Sequence, residues 1–164
     1  MRARHLLRSI YPRRASRSSR DRIYRPRLSD RILNFLARRL TNTPAVWGSW
    51  DKVEIGEDVF LVNTLFNTSS GRIVVGDRTF FGHNVCLLTG THHLIEGAGA
   101  GALAVPVSGR DIVIGTGVWI ASNATVLGPC RVGDNVVIAA GAVVTGGELE
   151  AGGVYAGIPA RRIK

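Results

Sequence analysis

Residues 112–145 read IVIGTGVWIASNATVLGPCRVGDNVVIAAGAVVT, and within them Ile114, Ile120, Val126, Val132, Ile138 and Val144 place an aliphatic side chain at every sixth position. Four residues after each of the first five stands a second small or β-branched residue: Val118, Ala124, Cys130, Val136 and Ala142. Glycine or alanine often follows the aliphatic, as at Gly115, Ala121, Gly133 and Ala139. A period of six fits neither the 3.6 of a helix nor the alternation of a flat strand, so the chain must turn at a fixed interval. The economical solution is a parallel β-helix, in which each hexapeptide makes one short strand and a corner. Three hexapeptides close a triangular coil, and equivalent positions of successive coils stack about 4.8 Å apart. The aliphatic points inward because a narrow prism has no other core, and small residues are needed where the backbone turns.

Outward from this segment the pattern loosens. Ile55 and Leu61 form one pair and Val75, Phe81 and Leu87 a further run, with Val59, Leu65, Thr79, Val85 and Thr91 at the second position. From Leu61 to Val75 the chain is two residues longer than two repeats, which predicts an irregular corner near FNTSSGR, residues 66–72. Between Thr91 and Ile112 the period is lost. HHLIEGAGAGALAVPVSGRD, residues 92–111, is rich in Gly and Ala and reads as a loop extruded from the prism, a place where a rigid scaffold commonly carries function. The β-helix domain is thus assigned to residues 53–164. Before it, LSDRILNFLARRL offers Ser29 as a helix cap, Asp30 in the first turn, and Ile32, Leu33, Leu36 and Leu40 as an apolar stripe at helical spacing. An amphipathic helix over 28–45 is expected, laid as a cap on the open strand edge of the first coil.

The charge is unevenly spread. Residues 1–45 hold thirteen Arg against Asp21 and Asp30, a local net of +11, whereas the remaining eight Lys and Arg face ten Asp and Glu, a net of −2. The overall +9 therefore belongs to the N-terminal segment. Residues 1–27 read as a basic, solvated arm attracted to acidic partners. No zinc, helix-turn-helix or RNA-binding pattern accompanies the charge, so specific nucleic-acid recognition is not expected. No apolar run approaches the ~20 residues of a membrane span. Arg and Ser with few acids in the first twenty residues also imitate a mitochondrial transit peptide. The preferred reading is a cytoplasmic protein whose arm touches an anionic inner leaflet peripherally.

The run from Ile112 to Thr145, with AGIPARRIK from Ala156 to Lys164, resembles the hexapeptide-repeat acyltransferases, and within them the maltose/galactoside and polysaccharide O-acetyltransferases. The resemblance covers residues 53–164 and implies an all-β, left-handed parallel β-helix, a homotrimer, and acetyl-CoA as donor with no metal. The hand comes from the resemblance, since parallel crossovers are in general right-handed. LLTGTHH matches the family's catalytic context at His92, the implied general base. Acyl transfer to a hydroxyl needs such a base to take the proton as oxygen attacks the thioester, and histidine suits it. A backbone N–H would stabilise the oxyanion. Trp119, Ser122, Ala140, Gly141 and Thr145 fall on family positions along the pantetheine groove, and Arg161 and Lys164 on basic positions near the nucleotide phosphates. Small residues let the thin arm lie against backbone, and cations neutralise phosphate. Gly146 stands where the family often has Lys, with Glu148 and Glu150 following, which predicts weaker nucleotide affinity. Asn63, Asn84 and His93 are candidates for acceptor contact.

Two other functions remain open on the sequence. A metal-dependent hydratase of the carbonic anhydrase type shares the β-helix, and His83, His92 and His93 supply imidazoles for it. A non-catalytic trimeric scaffold with basic arms is the other. Cys86 and Cys130 have no metal or redox spacing and read as structural.

Overall fold

The structure is a computed structural model that describes residues 28–94 and 103–164. The basic arm assigned to 1–27 lies outside the described residues, as do residues 95–102 of the expected loop. The described residues divide into two units, with the boundary after Leu36. Helix α1 spans Leu28–Thr41. It stops short of position 45 because Pro44 pushes the residue before it out of helical conformation. Its Leu28, Ile32, Leu33, Phe35 and Leu36 are exposed.

The second unit is built from β1 (Ala45–Trp47), β2 (Val53–Ile55), β3 (Leu65–Asn67), β4 (Ile73–Val75), β5 (Phe80–Phe81) and β6 (Cys86–Leu88). It continues through β7 (His93–Leu94), β8 (Leu103–Ala104), β9 (Ile112–Ile114), β10 (Trp119–Ile120), β11 (Thr125–Leu127) and β12 (Cys130–Val132). The last are β13 (Val137–Ile138), β14 (Val143–Val144), β15 (Gly147–Leu149), β16 (Val154–Gly157) and β17 (Ala160–Arg162). Three five-stranded faces wind around one axis: β1-β3-β6-β11-β14 (face 1), β2-β4-β9-β12-β15 (face 2) and β5-β10-β13-β16-β17 (face 3). All their pairings are parallel except β16 with β17, where the chain doubles back to end the prism. The all-β parallel solenoid required by the period of six is therefore the observed fold.

Its register follows the repeat. Ile114, Ile120, Val126, Val132, Ile138 and Val144 are all buried, and so are Val118, Ala124, Cys130, Val136 and Ala142. Each large aliphatic withdrawn from water contributes about 1.5–3 kcal/mol, an upper figure because the unfolded chain already hides some surface. Thr79 enters this core with partners for its hydroxyl, whereas the Ser70 hydroxyl is buried without one. The Thr79 hydroxyl donates to the Gly115 carbonyl (3.0 Å) and accepts from the Val118 amide (3.2 Å). Burial raises the Cys130 thiol to about 11 and pushes the half-buried Cys86 thiol up as well, so both stay protonated near neutral pH. Corners repeat too. Asp58, Arg78, Gly117, Asn135 and Gly152 adopt positive φ where face 2 turns into face 3, and Val62, Asn84, Asn123 and Gly141 do so where face 3 turns into face 1. One left-handed residue per corner explains why Asn and Gly recur there.

Two expectations need correction. The stack begins before Val53, because β1 already pairs with β3 (Ala45 with Leu65) and opens face 1. The irregularity near 66–72 is larger than two residues. Five residues, Thr68–Arg72, join β3 to β4 where two, Gly128 and Pro129, join β11 to β12. The preceding corner is one residue short, so Thr64 rather than Leu65 takes the inward second position and Leu65 is only half-buried. The wide coil left by the long corner is filled by Phe66, fully buried against Phe81 (ring centroids 6.4 Å) and Trp50 (6.1 Å).

Candidate functional site

The extruded loop leaves the prism at the edge between faces 1 and 2, and hydrogen bonds tie both ends of its neck. The Thr89 amide donates to the Asn67 carbonyl (3.0 Å) and the Arg110 amide to the Ser70 carbonyl (3.1 Å). Arg110 Nε donates to the Thr89 carbonyl (2.8 Å), joining outgoing to returning chain. The Thr89 hydroxyl donates to the Asn67 carbonyl (2.8 Å) and accepts from the Ser70 amide (3.1 Å). Gly90 follows at a point where a Cβ would lie 2.7 Å from Asn67 Oδ1, so no other residue passes there without displacing that side chain. His92 comes two residues later and is exposed. His93 opens β7, which pairs antiparallel with β8 through His93 with Ala104 and Leu94 with Leu103. His92 thus stands at the foot of a hairpin, on backbone restrained by the neck and open to solvent, a placement that suits exchange of a proton with a bound hydroxyl.

The remaining candidates fall elsewhere. Ser122, Ala140 and Gly141 occupy the edge between faces 3 and 1, where nothing stands within 4 Å of a Cβ built on Gly141. Ala140 and Gly141 are exposed, so this edge offers a strip of bare backbone. Close packing of coils continues beneath it, since a Cβ on Gly82 would lie 2.4 Å from the Ser122 amide nitrogen. Trp119 points out of face 3, 45% exposed. Arg161 and Lys164 lie at the end of that same face, on and just after β17, three strand spacings or about 14 Å from β10. Asn63 and Asn84 are engaged in a corner ladder: Asn63 Nδ2 donates to Asn84 Oδ1 (2.7 Å), the Asn84 amide to Asn63 Oδ1 (2.7 Å), and Asn84 Nδ2 to Asn123 Oδ1 (3.3 Å). Their first role is to hold successive corners together. Thr145 lies on the other edge, the one His92 occupies.

Within one chain the candidates therefore form two groups. His92 and Thr145 share the edge between faces 1 and 2, while Trp119, Ser122, Ala140, Gly141, Arg161 and Lys164 lie along face 3 and its far edge, with face 1 between the groups. Among the described residues no three His, Cys, Asp or Glu side chains come together as a metal site, and His83 and His92 sit on different edges. A depression of about 340 Å³ beside the His92 edge is lined by Asp111, Arg131 and Glu148. Its mixed charge suits neither a diphosphate nor a second anion.

Two residues escaped the sequence reading. Phe80 stacks on Trp119 (centroids 5.6 Å, planes 18° apart) and its backbone bridges to that of Phe60, so three exposed aromatic residues line up as a ladder on face 3. The signal was present, because Phe80 precedes Phe81 as Trp119 precedes Ile120. Arg110 gave no such signal, since its bond across the neck belongs to no repeat.

Residues 111–146 match the family model for the bacterial transferase hexapeptide, six repeats. A hexapeptide-repeat acetyltransferase from Vibrio cholerae O1 biovar eltor, solved with acetyl-CoA, superposes with a TM-score of 0.66 over 82% of this chain and 77% of its own, at 21% identity. A galactoside acetyltransferase in complex with coenzyme A gives 0.65 over 75% of this chain and 60% of its own, at 25% identity. In sequence, a Staphylococcus aureus 2,3,4,5-tetrahydropyridine-2,6-dicarboxylate N-acetyltransferase is 40% identical over 72 residues, 44% of this chain. The alignment spans only 30% of that relative's length. Residues 111–146 thus carry the bacterial transferase hexapeptide repeat, and the prism shares its parallel β-helical fold with the solved hexapeptide-repeat acetyltransferases.

Proposed function

We propose that this protein is an acetyl-CoA-dependent O-acetyltransferase acting on a hydroxyl of a sugar or polysaccharide. The observation that carries the reading is His92, held on the tied neck of an extruded loop beside a β-helix whose solved neighbours include acetyltransferases with acetyl-CoA or CoA bound. Transfer is direct, in a ternary complex. His92 takes the proton of the acceptor hydroxyl as its oxygen attacks the thioester carbonyl; the C–S bond then breaks and the CoA sulfur leaves, receiving the proton from the imidazolium. A backbone N–H supports the oxyanion between these steps. No Ser or Cys nucleophile takes part, in keeping with the protonated, inward Cys130.

The separation of the two residue groups favours a homotrimer. In a closed ring of identical prisms each contact is heterologous, joining one surface of a copy to a different surface of the next. His92 and Thr145 of one copy then meet the face bearing Trp119, Ala140 and Gly141 of its neighbour. The pantetheine arm runs along that strip toward Arg161 and Lys164. The stacked rings of Phe80 and Trp119, with exposed Phe60 beside them, suit burial against a neighbouring copy and the donor. Asn84 and His93 border the space left for the acceptor, with Asn63 behind Asn84. A cytoplasmic enzyme at the inner membrane face completes the reading, and among the described residues no helix is long and apolar enough to cross a membrane.

The test is release of free CoA thiol from acetyl-CoA with panels of mono- and oligosaccharides and of amines. Hydroxyl-dependent release above the acceptor-free rate is expected. Release with amines alone would move the assignment to N-acetylation, and no release with any acceptor, together with no binding of acetyl-CoA, would refute it.

A further inference from the structure

The first 45 residues carry a charge of +11 on a chain that is otherwise close to neutral, and the described part of that segment is a helix with an apolar side turned to solvent. In α1, Leu28, Ile32, Phe35 and Leu36 recur at spacings of three and four and so share one side, which Leu33 widens. These five side chains are between 51% and 71% exposed. At 100° per residue Arg31 lies about 40° around the helix from Phe35 and about 160° from Leu33, at one border of the apolar side. Arg38 and Arg39 follow in sequence, and ten further Arg precede the helix within residues 1–27.

We propose that α1, with the Arg-rich sequence before it, docks on an anionic lipid bilayer, the apolar side entering the interface and the arginines meeting lipid phosphates. The charge decides among occupants. A second copy of the same helix would cover the apolar side but set +11 against +11, and the rest of the chain, at −2, has no acidity to offset that. A nucleic acid or acidic peptide would satisfy the arginines and leave Leu28, Ile32, Leu33 and Leu36 in water. An anionic bilayer satisfies both, since a basic amphipathic helix lies in the interfacial plane and its cations add to the burial of its apolar side. The inference does not depend on the acetyl-transfer reading. If both hold, the consequence is an acetyltransferase held at an anionic membrane surface.

The experiment is co-sedimentation of the full chain with vesicles of phosphatidylcholine, with and without phosphatidylglycerol. Binding to anionic vesicles is expected to be at least about tenfold tighter than to neutral ones and to weaken steeply in salt. The Ile32→Ser/Leu36→Ser variant should lose at least about tenfold of that binding while its melting temperature and oligomeric state stay at the parent's values. As a second reading, Leu33→Trp should gain fluorescence that brominated anionic lipid quenches. Failure to bind, equal binding to both vesicles, parental binding by the double variant, or an unquenched Trp at position 33 would each overturn the proposal. So would a fall in melting temperature or loss of the oligomer in the double variant, because the side chains would then be capping the coil rather than meeting lipid.

Discussion

Replacing His92 with Ala is expected to lower acceptor-dependent release of CoA by about 10²–10⁴-fold, the usual worth of a positioned general base. The fall should lie in kcat, with little change in KM for acetyl-CoA, because the donor is assigned to a different surface of the prism. It should come without loss of stability, since His92 is exposed and packs in no core. A residual rate should survive, because holding donor and acceptor together is itself catalytic. Steady-state kinetics with a thermal melt of the same preparation checks this. A variant that retains parental kcat would remove His92 from the chemistry, and one that melts earlier would recast it as a support of the neck.

The largest effect on stability is expected at Phe66. Phe66→Ala should cost about 3–5 kcal/mol, measured as a shift of the denaturation midpoint at constant slope. The ring is fully buried in the coil widened by the five-residue corner Thr68–Arg72, with Trp50 on one side and Phe81 on the other. Trp50 and Phe81 are held by their own coils and cannot both collapse into the space. Phe60→Ala is the control on the same chain: Phe60 is 71% exposed, so its truncation should change stability by about 0.5 kcal/mol or less in the single chain. A larger cost at Phe60 would mean that the aromatic ladder is buried in the assembled oligomer, which the proposed trimer predicts and which dilution would reverse.

The fold was legible wherever the repeat was undisturbed. From Ile112 to Val144 a strict period of six dictates which side chains enter the prism, and no tertiary contact overrides it because a narrow coil has only one interior. The reading failed where that logic stops. Ala45–Trp47 has no neighbouring repeat in sequence, so its place on face 1 depends on pairing with β3. The slip from Leu65 to Thr64 arises because one corner is shorter and the next longer, and a residue count records only the net difference. His92 and Trp119 became candidates through resemblance alone, His92 by its place in LLTGTHH and Trp119 by its place in VWIAS. Arg110 was not visible, because a single hydrogen bond across a loop neck leaves no periodic trace. Nor could the sequence show that Asn63 and Asn84 bind each other, since Asn at a corner serves equally as ladder or as ligand.

The central claim is that acetyl transfer occurs at a site split between two copies, His92 from one and the bare strip of Ala140 and Gly141 from the next. Mixed oligomers test it most directly. His92→Ala and Ala140→Trp chains, each inactive alone, would be co-expressed with different affinity tags, and oligomers carrying both isolated. In a ring of three, every mixed oligomer contains one interface with an intact His92 and an intact donor strip, so activity should return to roughly a third of the parent. Mixed oligomers as inactive as their components would contradict the account and place base and donor strip in the same chain.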